Sequence, residues 1–343
     1  MARRRRRGAQ NTGAFWTCIV LLCVLLGGLY CYGDQLPPVE TWPGHIESFL
    51  ADAKAQAAPV AEQIGKRWDA LTQDLLGGTQ PDTWEQLPQA AGDELRVHSF
   101  QLGDADAHLI VIGEESMLID AGEKDTAQIL SDRLHQLGIS QLSCVVATHP
   151  HADHIGAMAQ IIEQFQPKIC YLSAQAHTTD SYFDMHDALE TAGVETVIPE
   201  PGDTVALGAA QISFLGPDPD KQYEQLNDSS LVLSLHYQGK AFLFAADAQC
   251  EAEADLLQTG ADLTADVLKV AHHGSDTSST QAFIDAVRPK YAVICNDDPA
   301  DLDPQVRERL EGAGSIILCT QSGEIVFSVK DAAIAVQVLS GEP

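Results

Sequence analysis

An α/β layered domain, with helices covering the outer faces of its sheets, is the fold class the sequence predicts for residues 93–332. Three observations predict it. A strand, turn, strand meander opens the region, an alternation of strands with amphipathic helices follows, and the same alternation recurs in the second half.

LRVHSF, AHLIVIG and ESMLIDAG, starting at Leu95, Ala107 and Glu115, are short apolar or alternating runs separated by turn residues, which makes the meander. DTAQILSDRLHQLGI has helical periodicity and stops at Gly138, after which the apolar run LSCVVATH reads as a buried strand. HIGAMAQIIEQF then reads as a helix, KICYLS as a strand, SYFDMHDALETAG as a helix and ETVIPE as a strand. In the second half AQISFLGP, LVLSLHYQG and KAFLFAAD are strands, CEAEADLLQTG a helix, DVLKVAHHG a strand, STQAFIDAVRP a helix and YAVICN a strand. PQVRERLEGAG is the last helix, SIILCT and GEIVFSVK are the last strands, and residues 333–343 are left as a C-terminal tail.

The N-terminal third has a different texture. Five arginines, Arg3 to Arg7, precede AFWTCIVLLCVLLGGLYCYG, an uncharged apolar stretch of about 20 residues, long enough for a helix to cross a bilayer core. Basic residues on the N-terminal flank orient such a segment with its N-terminus inside and the remainder outside. Residues 1–33 therefore read as a transmembrane anchor. A cleaved signal segment is the alternative, disfavoured by the length of the run and the lack of a small-x-small cleavage site. Residues 34–92 carry apolar residues at helical spacing, interrupted by Pro59 and followed by the linker GGTQPDTW, and read as a helical stalk.

Charge and cysteine usage narrow the function. The formal net charge is -29, and because the first acidic residue is Asp34 the chain beyond the basic N-terminus is more acidic still. Such a surface repels polyanions, which disfavours nucleic acid as a partner. The cysteines beyond the apolar segment are scattered through strand-like runs with no CxxC, so they read as buried small hydrophobes and not as a thiolate metal site or a disulfide framework.

The chemistry concentrates at strand ends. THPHADHIGA follows the strand LSCVVA, and its His149 and His151 alternate so that both imidazoles face one side and can chelate one ion. Asp153 and His154, on the turn into the next helix, are spaced to serve a second. Imidazole mixed with carboxylate suits two divalent ions, zinc first and manganese second. One cluster supplies only partial coordination spheres, so other strand ends must contribute. Asp247 ends KAFLFAAD, where a bridging carboxylate is expected. His272 and His273 end DVLKVAHHG, with Gly274 allowing a tight turn beside them. Asp120, ending MLID, is placed to orient a ligand histidine by a hydrogen bond.

In order along residues 94–332, IDAG, THPHADHIGA, NDSSLVLSLHYQGKAFLFAAD and LKVAHHGSDTSSTQAFIDAVRP resemble the metallo-β-lactamase superfamily, and within it the hydrolase domain of the DNA-uptake protein ComEC and its stand-alone relatives. The resemblance implies a four-layer αββα sandwich and a binuclear metal hydrolase, usually of phosphate esters in this branch. It implies that His149 and His151 hold one metal, that Asp153 and His154 hold the other, and that Asp247 bridges them. One of His272 and His273, taken as His273, would complete the second sphere while the other faces the substrate, and Asp153 would orient the attacking hydroxide. Asn227 and Asp228 match a segment that lines the site, and His177 is a further candidate in a polar loop. Two departures stand out: Ala246 precedes Asp247 where the family writes Gly, and Asp303 occupies the position of a family histidine, as a candidate acid or oxygen ligand. The expected function is a membrane-anchored, extracytoplasmic phosphodiesterase of small or cell-wall-linked phosphoesters. A ComEC-like DNA nuclease and a non-catalytic anchored binding module are the alternatives, with lactone or β-lactam hydrolysis a weaker third.

Overall fold

The alternating and fully apolar runs assemble into two mixed sheets in a computed structural model that describes residues 94–340. The anchor and stalk expected over 1–33 and 34–92 lie outside the described residues. Among the described residues, no helix is long and apolar enough to cross a membrane.

The first sheet grows from the meander. Strands β1 (Leu95–Ser99), β2 (His108–Ile112) and β3 (Glu115–Ile119) pair antiparallel in sequence order. Helix α1 (Ala127–Gln136) crosses over to β4 (Cys144–Ala147), and α2 (Ala152–Ile155) with α3 (Met158–Phe165) leads to β5 (Ile169–Leu172). Helix α4 (Asp180–Ala192) then leads to β6 (Glu195–Val197), so β3 through β6 are parallel. In α3 the buried residues Met158, Ile161, Ile162 and Phe165 form a single apolar stripe that packs against this sheet.

The second sheet repeats the plan. Strands β7 (Thr204–Leu207), β8 (Ala210–Gly216), β9 (Val232–Tyr237) and β10 (Lys240–Phe244) are an antiparallel meander. Helix α5 (Cys250–Thr259), strand β11 (Val267–Lys269), helix α6 (Gln281–Val287), strand β12 (Tyr291–Ile294), helix α7 (Pro304–Gly312) and strand β13 (Ile316–Cys319) complete a parallel half. The chain returns to the first sheet as β14 (Glu324–Lys330), antiparallel to β1.

Aromatic contacts join the inner faces. Phe327 of β14 meets Phe242 of β10 and Tyr291 of β12 at ring-centroid distances of 5.8 and 5.5 Å, and Tyr171 of β5 meets Phe214 of β8 at 5.0 Å. Helices α1, α3 and α4 contribute to the core cluster on one outer face, and α5, α6 and α7 to that on the other. This is the expected αββα sandwich.

Three details differ from expectation. Residues 333–339, expected as part of a tail, form edge strand β15 (Ala333–Leu339), paired with β14 along its length. The connecting residues Asp331 and Ala332 both have positive φ, the conformation of a tight hairpin, but lack the glycine that marks such a turn in sequence. Strand β7 also escaped notice, being short and half exposed. The helix expected from His154 is broken in two at Gly156, where a Cβ would collide with the Ala152 carbonyl oxygen and lie 2.7 Å from the Lys124 backbone nitrogen.

Candidate metal centre

The candidate metal ligands all lie just beyond the ends of strands. Strand β4 stops at Ala147, His149 follows on the turn, His151 caps α2, and Asp153 and His154 lie within α2. Asp247 follows β10 through Ala246, whose φ is 46°, and His272 and His273 follow β11 with φ of 49° and 53°. Left-handed backbone at non-glycine residues is strained and persists where surrounding contacts over-determine it. Here three such residues converge on one point.

Two groups of ligand atoms result, and they share Asp247. His149, His151 and Asp247 bring one atom each within 4.8 Å of one another, and so do Asp153, His154, Asp247 and His273. In the first group His149 Nε2 faces His151 Nδ1 at 3.0 Å and lies 3.8 Å from Asp247 Oδ2. In the second, Asp247 Oδ1 is 3.3 Å from His154 Nε2 and 3.6 Å from His273 Nε2, and Asp153 Oδ2 is 3.7 and 3.4 Å from the same two nitrogens. Three of these atoms, His154 Nε2, Asp247 Oδ1 and His273 Nε2, are buried without a hydrogen-bond partner. Leaving such atoms unsatisfied is costly, and a divalent ion would satisfy all three at once, so the donor set fits the metal that its residue types imply.

A family profile described as metallo-beta-lactamase superfamily matches residues 101–296, more than half the chain. The chain belongs to the metallo-beta-lactamase superfamily. Two curated competence proteins are similar to it and support the ComEC-like branch. ComE operon protein 3 of Bacillus subtilis is 30% identical over 174 residues, 50% of this chain and 22% of that protein. Competence protein ComA of Neisseria gonorrhoeae is 26% identical over 221 residues, 64% of this chain and 29% of its own length. The chain thus spans less than a third of either relative. Among solved structures, the metallo-beta-lactamase fold protein YhfI of Bacillus subtilis aligns with 69% of this chain and 100% of its own at 14% identity and a TM-score of 0.46.

Around this metallo-beta-lactamase centre the supporting residues divide clearly. Asp120 accepts from His154 Nδ1 at 2.8 Å and from the Thr148 backbone and hydroxyl at 2.9 and 2.7 Å, which turns His154 Nε2 toward the second group. The Cys295 carbonyl, 2.9 Å from Nδ1, does the same for His273. His272 stands outside both groups: its Nε2 is 3.1 Å from Asn227 Nδ2 and its Nδ1 is 2.7 Å from the Thr277 hydroxyl. His177 lies beside the first group, its ring centroid 6.4 Å from that of His151.

Two further sequence candidates bond to the starts of helices. The Asp228 carboxylate accepts from the backbone nitrogens of Gln249 and Ala252 at 2.9 and 3.0 Å, so it anchors the start of α5 and does not line the site. Asp303 is the N-cap of α7, accepting from Gln305 and Val306 backbone nitrogens, and it joins none of the ligand groups. Both bonds use its Oδ1, and the residue lines the adjoining cavity together with His272 and His273. Sequence reading missed Asp106 and Lys269, a buried pair in contact beside Asp247. The available signal was a lysine inside the apolar run DVLKVA, where a charge requires a partner.

The two groups differ in charge. Burial, reinforced by the charge of His154, holds His149 well below the ordinary histidine range, and burial also lowers His151. Burial alone would lower His154, but Asp247 and then Asp120 push it well above that range. His273 is likewise raised against burial, by the Asp153 carboxylate 3.4 Å from its Nε2 and the charges of Asp106 and Asp247. Burial would raise Asp153, yet the neighbouring His273 and the charge of His154 bring it to about 2. The surroundings of the first group therefore favour neutral imidazoles, whereas those of the second favour the protonated form beside its carboxylates.

Proposed function

We propose that the chain is a binuclear metal-dependent phosphodiesterase, held at a membrane by its N-terminal apolar segment with the hydrolase domain outside the cytoplasm. The observation that carries the reading is Asp247, whose two carboxylate oxygens face two separate ligand groups. His149, His151 and Asp247 would hold one divalent ion and Asp153, His154, Asp247 and His273 the other, zinc suiting this donor set best and manganese next. Bound there, such a pair supplies Lewis acidity to a phosphoester and acidifies water. Asp153, ionised and partly exposed beside the cavity, orients the water that attacks. His272, outside both groups and lining the same cavity, is the residue left to manage the proton of the leaving alcohol, with Asn227 and Thr277 fixing its ring.

The cavity has a volume of about 610 Å³, and Asp104, Asp276, Asp301 and Asp303 line it with no lysine or arginine among its lining residues. That wall favours a small or wall-linked phosphoester over a long polyanion. DNA cleavage is the second reading, favoured by the similarity to two proteins of competence.

The test is to purify the full chain, count its metals by elemental analysis and assay bis-p-nitrophenyl phosphate, single-stranded DNA and nitrocefin. Two ions per chain with diester turnover are expected, and His151→Ala should abolish turnover while lowering the ion count. A chain that holds at most one ion and cleaves nothing on the panel is a binding module.

A further inference from the structure

Beneath the second ligand group lies another set of ligating atoms that the centre does not use. Asp106, His108 and Cys295 are buried, and one ligand atom from each lies within 4.8 Å of the others. Asp106 precedes β2, His108 opens it, and Cys295 follows β12, so the set forms where the two sheets face each other. His108 Nε2 is 4.0 Å from Asp106 Oδ2 and 3.9 Å from Cys295 Sγ, while its Nδ1 is fixed by the Ser99 hydroxyl at 2.9 Å. One oxygen, one nitrogen and one sulfur with the far side of the imidazole already held make a donor set that zinc and cobalt accept.

Lys269 intrudes on this set. It is 3% exposed, and its ammonium contacts Asp106 Oδ2, donates to the Ala246 carbonyl at 2.9 Å and lies 3.6 Å from Asp247 Oδ1. A buried ammonium requires such partners, and a second cation at Asp106 would sit within a few ångströms of it in an interior that screens charge poorly. The location matters because Asp106 is also 3.9 Å from His154 Nδ1 and 3.7 Å from His273 Nδ1. An ion on Asp106 would compete for the back faces of two rings whose front faces serve the centre.

We propose that the Lys269 ammonium is a built-in cation that occupies Asp106 and bars a third divalent ion from the Asp106, His108 and Cys295 pocket. The inference needs no assumption about which ester the centre cleaves. Its test is cobalt titration of the metal-free full chain, read by ion count and by thiolate-to-cobalt charge-transfer absorption. Wild type should show no thiolate band at any excess of cobalt. Lys269→Met should bind one ion more than wild type and develop the band. Lys269→Gln, which keeps a donor for the Ala246 carbonyl but drops the charge, should do the same and carries the test should the Met variant not fold. Adding Cys295→Ser to either variant should remove both signals. A thiolate band in wild type, or a folded charge-neutral variant with the wild-type count and no band, overturns the proposal. Because the readout is a difference of one ion, it stands apart from the two-ion reading of the centre, which the wild-type count tests separately.

Discussion

Ala246 is one of the two departures from the pattern that the motifs resemble, and its backbone shows why glycine would suit the position. Its φ of 46° places an alanine in left-handed backbone, which costs about 1–2 kcal/mol. Two donors to its carbonyl, Lys269 Nζ at 2.9 Å and the His272 backbone nitrogen at 3.1 Å, hold it there. Ala246→Gly should therefore raise stability by up to about 1 kcal/mol, the greater freedom of glycine in the unfolded chain offsetting part of the relief. Thermal unfolding would register the gain, with the ion count unchanged. Asp120 acts by orientation instead. Asp120→Asn keeps the volume but weakens the hold on His154 Nδ1, and metal affinity should fall about 10–100-fold in chelator competition. An affinity equal to wild type would show that the ring is fixed by packing alone.

Among the elements, the hairpin of β14 and β15 ties the end of the chain to its first strand and first helix. Glu324, at the start of β14, is buried between His98 of β1, 2.6 Å from its Nδ1, and Arg133 of α1, 2.6 Å from its Nε. Replacing it with Gln removes the buried carboxylate that faces both Arg133 and His98, a loss of about 3–5 kcal/mol by denaturant titration. Burial would raise the Glu324 carboxyl, but His98 and then Arg133 bring it below the ordinary glutamate value. A depressed folded pKa means that this contribution is complete above the unfolded value near about 4.3 and is lost as pH falls through the lower folded one. Wild type should lose stability over that acid window more steeply than Glu324→Gln. The strands best predicted, β4, β5 and β12, are those with long apolar runs. Strand β15 alternates weakly, because an edge strand has one well-covered face at most.

At the scale of the whole molecule, the metals would link the two sheets, since β4 with its turn supplies His149 to His154 while β10 and β11 lead to Asp247 and His273. Chelation should then lower thermal stability, by about 4 kcal/mol if ions had been present at 1,000 times their dissociation constant. His154 and His273 hold protons up to higher pH than ordinary histidines, so ion uptake must displace them. Binding should release protons and tighten as pH rises, which calorimetry in two buffers of different ionisation heat would detect. The sequence by itself determined the layered class and the strand-end positions of the HxHxDH platform, Asp247 and the histidine pair, because ligand spacing within one turn and apolar periodicity are local properties. Tertiary structure alone decided how Asn227 and Thr277 hold His272 outside both groups, that Asp228 and Asp303 bond to helix starts, and that Lys269 meets Asp106. Those outcomes depend on left-handed turns and on atoms that approach one another only when two sheets close face to face, and neither leaves a periodic trace in the chain.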